Sequence, residues 1–142
     1  MEFFDVLVRY EIALWNAVDG QLGASGRVSL ARLQALRVVE SFAGRCRVQD
    51  ISDRLGITAG AVSKLVDRLE HDGLVTRTPN PGNRRSSLLQ LTADGAEELA
   101  AAQAVGDRIM GIAVGDEDLE PLTTALQRLE THLSGAQIGV QA

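Results

Sequence analysis

Two short helical patterns meeting at a glycine, a turn-rich hairpin behind them, and long apolar-striped segments on either side predict a mainly α fold with a small β-hairpin wing. At 142 residues with 45% hydrophobic side chains, the chain has material for one compact domain with its own core.

Residues 3 to 22 place Phe4, Leu7, Val8, Leu14, Trp15, Val18 and Leu22 in an apolar stripe at helical spacing, wide enough to need more than one neighbour. Ser29 is placed to cap a second helix, with Leu30, Leu33, Leu36, Val39 and Phe42 as the floor of the core. A third helix is expected over Val48 to Leu55, where Ile51 and Leu55 share one face. Gly56 ends it because glycine reaches left-handed dihedrals without strain. Ile57 is expected to plug the corner, and the Thr58 hydroxyl to accept from the unpaired N–H groups of a fourth helix running from about Ala59 to His71.

In that fourth helix Val62, Leu65, Val66 and Leu69 form the stripe that must be buried. The opposite face presents Gly60, Ala61, Ser63, Lys64, Asp67 and Arg68. Asp72-Gly73 closes the helix, Leu74 to Thr78 and Ser87 to Leu91 read as strands, and Pro79-Asn80-Pro81-Gly82-Asn83 supplies the turn, with Arg84 and Arg85 on the tip. Helix, tight turn, helix and hairpin together make a winged helix-turn-helix. Thr92 is placed to cap a long helix from about Ala93 to Val114, whose early Asp94, Glu97 and Glu98 suit its positive end.

The last helix carries Leu119, Leu122, Leu126, Leu129 and Leu133 at separations of 3, 4, 3 and 4, a heptad-like seam. Pro121 sits early in it, where a missing N–H costs little. Such a seam suits packing along the N-terminal helix, inside one subunit or across two. A homodimer is favoured, since a two-fold axis sets two recognition helices roughly 34 to 36 Å apart, one turn of DNA. The dimerisation set is then Phe4, Leu7 and Trp15 with the five leucines. The expected layout is a DNA-binding lobe over residues 30–92, dimerisation helices over 1–25 and 93–134, and a flexible tail over 135–142.

The net charge of −5 hides an asymmetry. Residues 45 to 85 hold eight basic and five acidic side chains, about +3, while residues 86 to 142 hold two and nine, about −7. That pattern fits a segment steered toward phosphate, although acidic surfaces also serve solubility. Small residues early in the fourth helix allow close approach to a duplex, Ser63, Lys64 and Arg68 can meet phosphates or base edges, and an arginine on a protruding loop can enter a minor groove. Alone, each of these features is equally an ordinary solvated surface. Together they assign Thr58, Gly60, Ser63, Lys64, Arg68, Arg77, Asn83, Arg84 and Arg85 to contact with double-stranded DNA.

Against catalysis, His71 and His132 are the only histidines, without metal-ligand spacing, and neither a phosphate-cradling glycine loop nor a nucleophile elbow is present. No metal or cofactor is expected. The single Cys46 excludes an internal disulfide. Its neighbours Arg45 and Arg47 make it a candidate redox site, the alternative being a passive buried thiol. The acidic N-terminus and the lack of a long apolar run point to a cytoplasmic protein without a membrane segment. A winged helix used only for protein contact is the competing reading.

The chain resembles the MarR family of bacterial transcriptional regulators over nearly its whole length. The resemblance rests on the helix order, the block from Ile57 to Leu69, the exit Asp72-Gly73-Leu74-Val75, and a wing running Asn83-Arg84-Arg85-Ser86-Ser87-Leu88-Leu89-Gln90-Leu91-Thr92 where the family has Asp-x-Arg-x-x-x-Val-x-Leu-Thr. It implies a dimeric repressor that binds pseudo-palindromic operators and releases them on meeting a small-molecule effector or an oxidant. It places Arg85 in the minor groove and Ser63, Lys64 and Arg68 on the major-groove helix. The segment around Trp15, Asn16 and Arg37 would hold the effector. Two departures stand out. Asn83 replaces the family's aspartate, so it is expected to hold Arg85 by a neutral hydrogen bond only, and Gly60 and Ala61 offer little direct base readout.

Overall fold

The computed structural model describes residues 1–136. Six helices and one hairpin follow in the order α1 (Glu2–Ala24), α2 (Leu30–Ser41), α3 (Val48–Leu55), α4 (Ala59–His71), β1 (Val75–Pro79), β2 (Ser87–Leu91), α5 (Ala93–Val114) and α6 (Leu119–Gly135). The two strands pair antiparallel, Val75 opposite Leu91 and Arg77 opposite Leu89.

The caps follow from residue chemistry. Ser29, Thr58 and Thr92 each accept a backbone N–H three residues on, from Arg32, Ala61 and Gly95. The start of α3 is held differently: Asp50 accepts from the backbone N–H of Arg47 at 2.8 Å and from its guanidinium at 2.6 Å and 3.0 Å. Those bonds hold the Asp50 carboxyl below its usual range even though the residue is buried. Gly56 takes φ +65°, the left-handed turn that ends α3.

The corner of the helix-turn-helix differs from expectation. Ile57 is 36% exposed and does not plug it. The turn is closed instead by buried Ser52, whose hydroxyl donates to the Ile57 carbonyl at 2.6 Å. β1 also begins one residue later than the pattern suggests. The Leu74 N–H donates to the Leu69 carbonyl at 2.9 Å in the exit of α4, and its carbonyl accepts from the Thr92 N–H at 3.1 Å. Leu74 thus has no group left for the ladder.

The core lies where α2 meets α3, α4, α5 and the hairpin, around Leu22, Leu36, Val39, Ile51, Val62, Val66, Leu69, Val75 and Leu89. A third extended segment touches the sheet at one residue, where Cys46 bridges Leu89 through a 2.7 Å bond from the Leu89 N–H to the Cys46 carbonyl. α1 packs mainly on α5, and only its C-terminal half is covered: Val18 and Leu22 are buried while Phe4 and Leu7 are exposed. α6 buries no residue at all. Its five leucines stay 37% to 57% exposed in the single chain, and Leu119, Leu122 and Leu126 border a groove toward α1 and α5. α6 runs through Gly135, the expected start of a flexible tail; the rest of that expected tail, residues 137–142, lies outside the described residues.

Candidate nucleic-acid interface and adjoining cavity

α4 turns its Val62, Val66 and Leu69 edge into the core, which leaves Gly60, Ala61, Lys64, Asp67 and Arg68 exposed and Ser63 half-buried. Thr58 is exposed, with its oxygen engaged as the cap of α4. The hairpin tip is built from two tight turns in tandem, Asn80 to Asn83 and Asn83 to Ser86. Asn80 Oδ1 accepts from the Gly82 N–H at 3.0 Å, Asn83 Oδ1 accepts from the Arg85 N–H at 2.9 Å, and the Asn80 amide donates to Ser86 Oγ at 2.9 Å. Arg84 and Arg85 occupy the two central positions of the second turn, both exposed. Asn83 therefore makes the expected neutral hydrogen bond, but to the backbone of Arg85. Among the described residues the Arg85 guanidinium has no ion-pair or hydrogen-bond partner.

The cations divide into two groups. Arg77 is ion-paired, its Nη2 2.7 Å from Asp67 Oδ1 and its Nε 3.4 Å from Glu70 Oε2, both on α4. Arg32 on α2 pairs with Asp72 at the α4 terminus. Lys64, Arg68, Arg84 and Arg85 have no ion pair among the described residues. Arg77, expected among the DNA-contacting residues, is thus ion-paired within the single chain. Its strand explains this: Arg77 lies on the hairpin face shared with buried Val75, so the side chain turns back onto α4.

Of the three residues assigned to an effector, two come together. Trp15 and Arg37 line a cavity of about 320 Å³ between α1, α2 and α5, walled by Leu14, Val18, Leu30, Leu33 and Met110. Arg37 is steadied there by the Gln34 amide oxygen at 3.3 Å. Asn16 lies instead on a separate shallow depression with Glu11, Ile12 and Trp15. Sequence reasoning missed the α5 wall, Gln103, Gly106, Asp107 and Met110, because no local pattern links α5 to α2. A second groove of about 360 Å³, lined by Tyr10, Leu14, Met110, Leu122 and Leu126, separates α6 from α1 and α5.

Cys46 is fully buried, and burial together with the nearby Asp50 pushes its thiol up to about 12 against the opposing pull of Arg47. Burial thus outweighs the flanking arginines and favours the neutral thiol, in line with the alternative of a passive buried cysteine. Among the described residues, no group of three or more His, Cys, Asp or Glu is arranged to hold a metal ion, and no helix is long and apolar enough to cross a membrane.

Residues 28–86 match the profile of the MarR family. That match covers less than half of the chain, and over this segment the chain is similar to the MarR family. It is 32% identical over 83 residues to the organic hydroperoxide resistance transcriptional regulator of Bacillus subtilis, an alignment covering 58% of this chain and 56% of that protein. The chain thus spans little more than half the length of that curated relative. Among solved structures, a MarR-family transcriptional regulator from Rhodococcus sp. RHA1 is 26% identical with a TM-score of 0.76, covering 97% of this chain and 94% of its own. A cysteine-to-serine mutant of E. coli MarR complexed with operator DNA superposes with a TM-score of 0.79 at 21% identity, covering 94% of each chain. The MarR match centres on α2 to the wing, the part in which the local motifs are densest.

Proposed function

We propose that this chain is a MarR-family regulator: a homodimeric, sequence-specific DNA-binding repressor released from a two-fold-symmetric operator by a small molecule. The observation that carries the reading is the set of cations without ion pairs, Lys64 and Arg68 on α4 with Arg84 and Arg85 on the wing. Unpaired cations on a helix face and a protruding turn are what phosphate neutralisation and minor-groove entry need. The reading has residues 30–92 as the DNA lobe, with Thr58, Gly60, Ser63 and Asn83 shaping its surface.

Helices α1 and α5–α6 serve dimerisation, through Phe4, Leu7, Trp15 and the leucines from Leu119 to Leu133, all exposed in the single chain. The cavity at Trp15 and Arg37 holds the effector, an apolar molecule of one or two rings by its volume of about 320 Å³. Sitting between α1 and α5 on one side and α2 on the other, an occupant would shift the lobes against each other.

The test is selection of bound duplexes from a random pool, followed by affinity against salt for the winner. A symmetric site with half-sites about one turn apart is expected, and Arg85→Ala should weaken it and lower the salt slope by about one phosphate equivalent. Enrichment of no site, with only weak salt-sensitive binding, would replace the reading by a winged helix used for protein contact.

A further inference from the structure

We propose that Arg77 is a positioning residue that keeps the carboxylates of α4 away from its DNA-facing cations, so that Lys64 and Arg68 stay free for phosphate. The inference rests on the DNA-binding reading above and deepens it. Along α4 the unpaired cations Lys64 and Arg68 alternate with Asp67 and Glu70, so helix charge alone cancels. Asp67 lies three residues after Lys64, a spacing at which helix surface pairs form. Left alone, Asp67 would draw the Lys64 ammonium to itself and present a carboxylate to the phosphates.

The structure supplies a competitor from outside the helix. The Arg77 guanidinium spans both acids, with Nη2 on Asp67 Oδ1 at 2.7 Å and Nε on Glu70 Oε2 at 3.4 Å. A planar fork with several donors holds two carboxylates at once, which an ammonium does less well. Asp72, at the end of the helix, is taken in the same way by Arg32 from α2. Every carboxylate from Asp67 to Asp72 is therefore claimed by an arginine of another element, and the two cations of α4 are claimed by none.

The same contact sets geometry. Arg77 is on β1, two residues beyond buried Val75, so the clasp joins the wing to the recognition helix just outside the core. The pairs are partly exposed, with side-chain exposure of 32% for Arg77 and 61% for Asp67, and contribute little to folding stability. Their effect belongs to binding.

The test compares wild type, Arg77→Met, Asp67→Asn with Glu70→Gln, and the triple variant, in affinity for the selected duplex and in thermal midpoint. Arg77→Met should bind about tenfold more weakly with a nearly unchanged midpoint, and the triple variant should regain most of the loss, as coupled neighbours do. A triple variant as weak as Arg77→Met would overturn the proposal, since Arg77 would then act on DNA directly.

Amide hydrogen exchange of the hairpin in the free protein supplies an arm without DNA. Severalfold faster exchange in Arg77→Met, relative to α4, is the expected result of losing the clasp. Unchanged exchange would overturn the positioning role. A wild type that binds no duplex would overturn the DNA-binding reading and the role for Lys64 and Arg68, while faster exchange would leave the clasp itself standing.

Discussion

Cys46 carries opposite expectations from its neighbours in sequence and its neighbours in space. Arg45 and Arg47 flank it in the chain, yet the Sγ lies in a fully buried position under the Leu89 bridge, near the Asp50 carboxylate. Folding thus prefers the neutral thiol. A raised acid pKa adds stability that is complete below the ordinary value of 9.0 and is lost as the pH climbs toward about 12. The native protein should therefore resist a thiol-alkylating reagent at neutral pH and react on unfolding. Cys46→Ala should remove this part of the alkaline loss in urea titrations and cost about 1 kcal/mol for the small cavity left behind. Prompt alkylation of the folded protein would show that the thiol is reachable and return it to the redox candidates.

Backbone packs closely on backbone at the junction between the wing and α5. Thr92 donates its hydroxyl to the Gly73 carbonyl at 2.6 Å, accepts from the Gly95 N–H at 2.9 Å, and donates its own N–H to the Leu74 carbonyl at 3.1 Å. One residue thereby ties the exit of α4 to the start of α5. Gly95 permits the approach: a Cβ there would lie 1.9 Å from the Leu74 carbonyl oxygen. Backbone cannot move aside as a flexible side chain can. Gly95→Ala should cost about 3 kcal/mol, the upper part of the range for overpacking, read from urea unfolding. A loss under about 0.5 kcal/mol would mean that α5 reseats freely and that the junction transmits nothing between the lobes.

Across the whole molecule, the uncovered apolar surface is concentrated at the chain ends. Leu119, Leu122, Leu126, Leu129 and Leu133 are 37% to 57% exposed, and Phe3, Phe4, Val6, Leu7 and Tyr10 leave the start of α1 equally bare. Covering a leucine is worth about 1.5 to 3 kcal/mol, so a partner for this seam outweighs most surface terms. A second copy supplies that partner in the proposed dimer. Replacing two of Leu122, Leu126 and Leu129 by glutamate should shift sedimentation from dimer to monomer and weaken DNA binding through loss of the second half-site. An intact dimer in that variant would move the interface elsewhere. Charge is distributed to match: about +3 over residues 45 to 85, which build the lobe from α3 to the wing, and about −7 over residues 86 to 142.

Local rules were enough for much of this protein. The apolar stripes of α2 and α4, the caps at Ser29, Thr58 and Thr92, the left-handed Gly56 and the asparagine-rich wing turn depend on residues within about one helical turn of each other, so the sequence by itself determined helices, hairpin and fold class. Long-range contacts decided the rest. Whether Arg77 is free or clasped depends on α4 ten residues back, whether Cys46 ionises depends on what covers it, and the cavity at Trp15 exists because α5 closes over α2. Ile57 is not the corner plug because Ser52 closes the turn with a hydrogen bond that no apolar pattern encodes. Charge state and pairing are set by distance and burial in three dimensions, which composition and spacing along the chain do not contain.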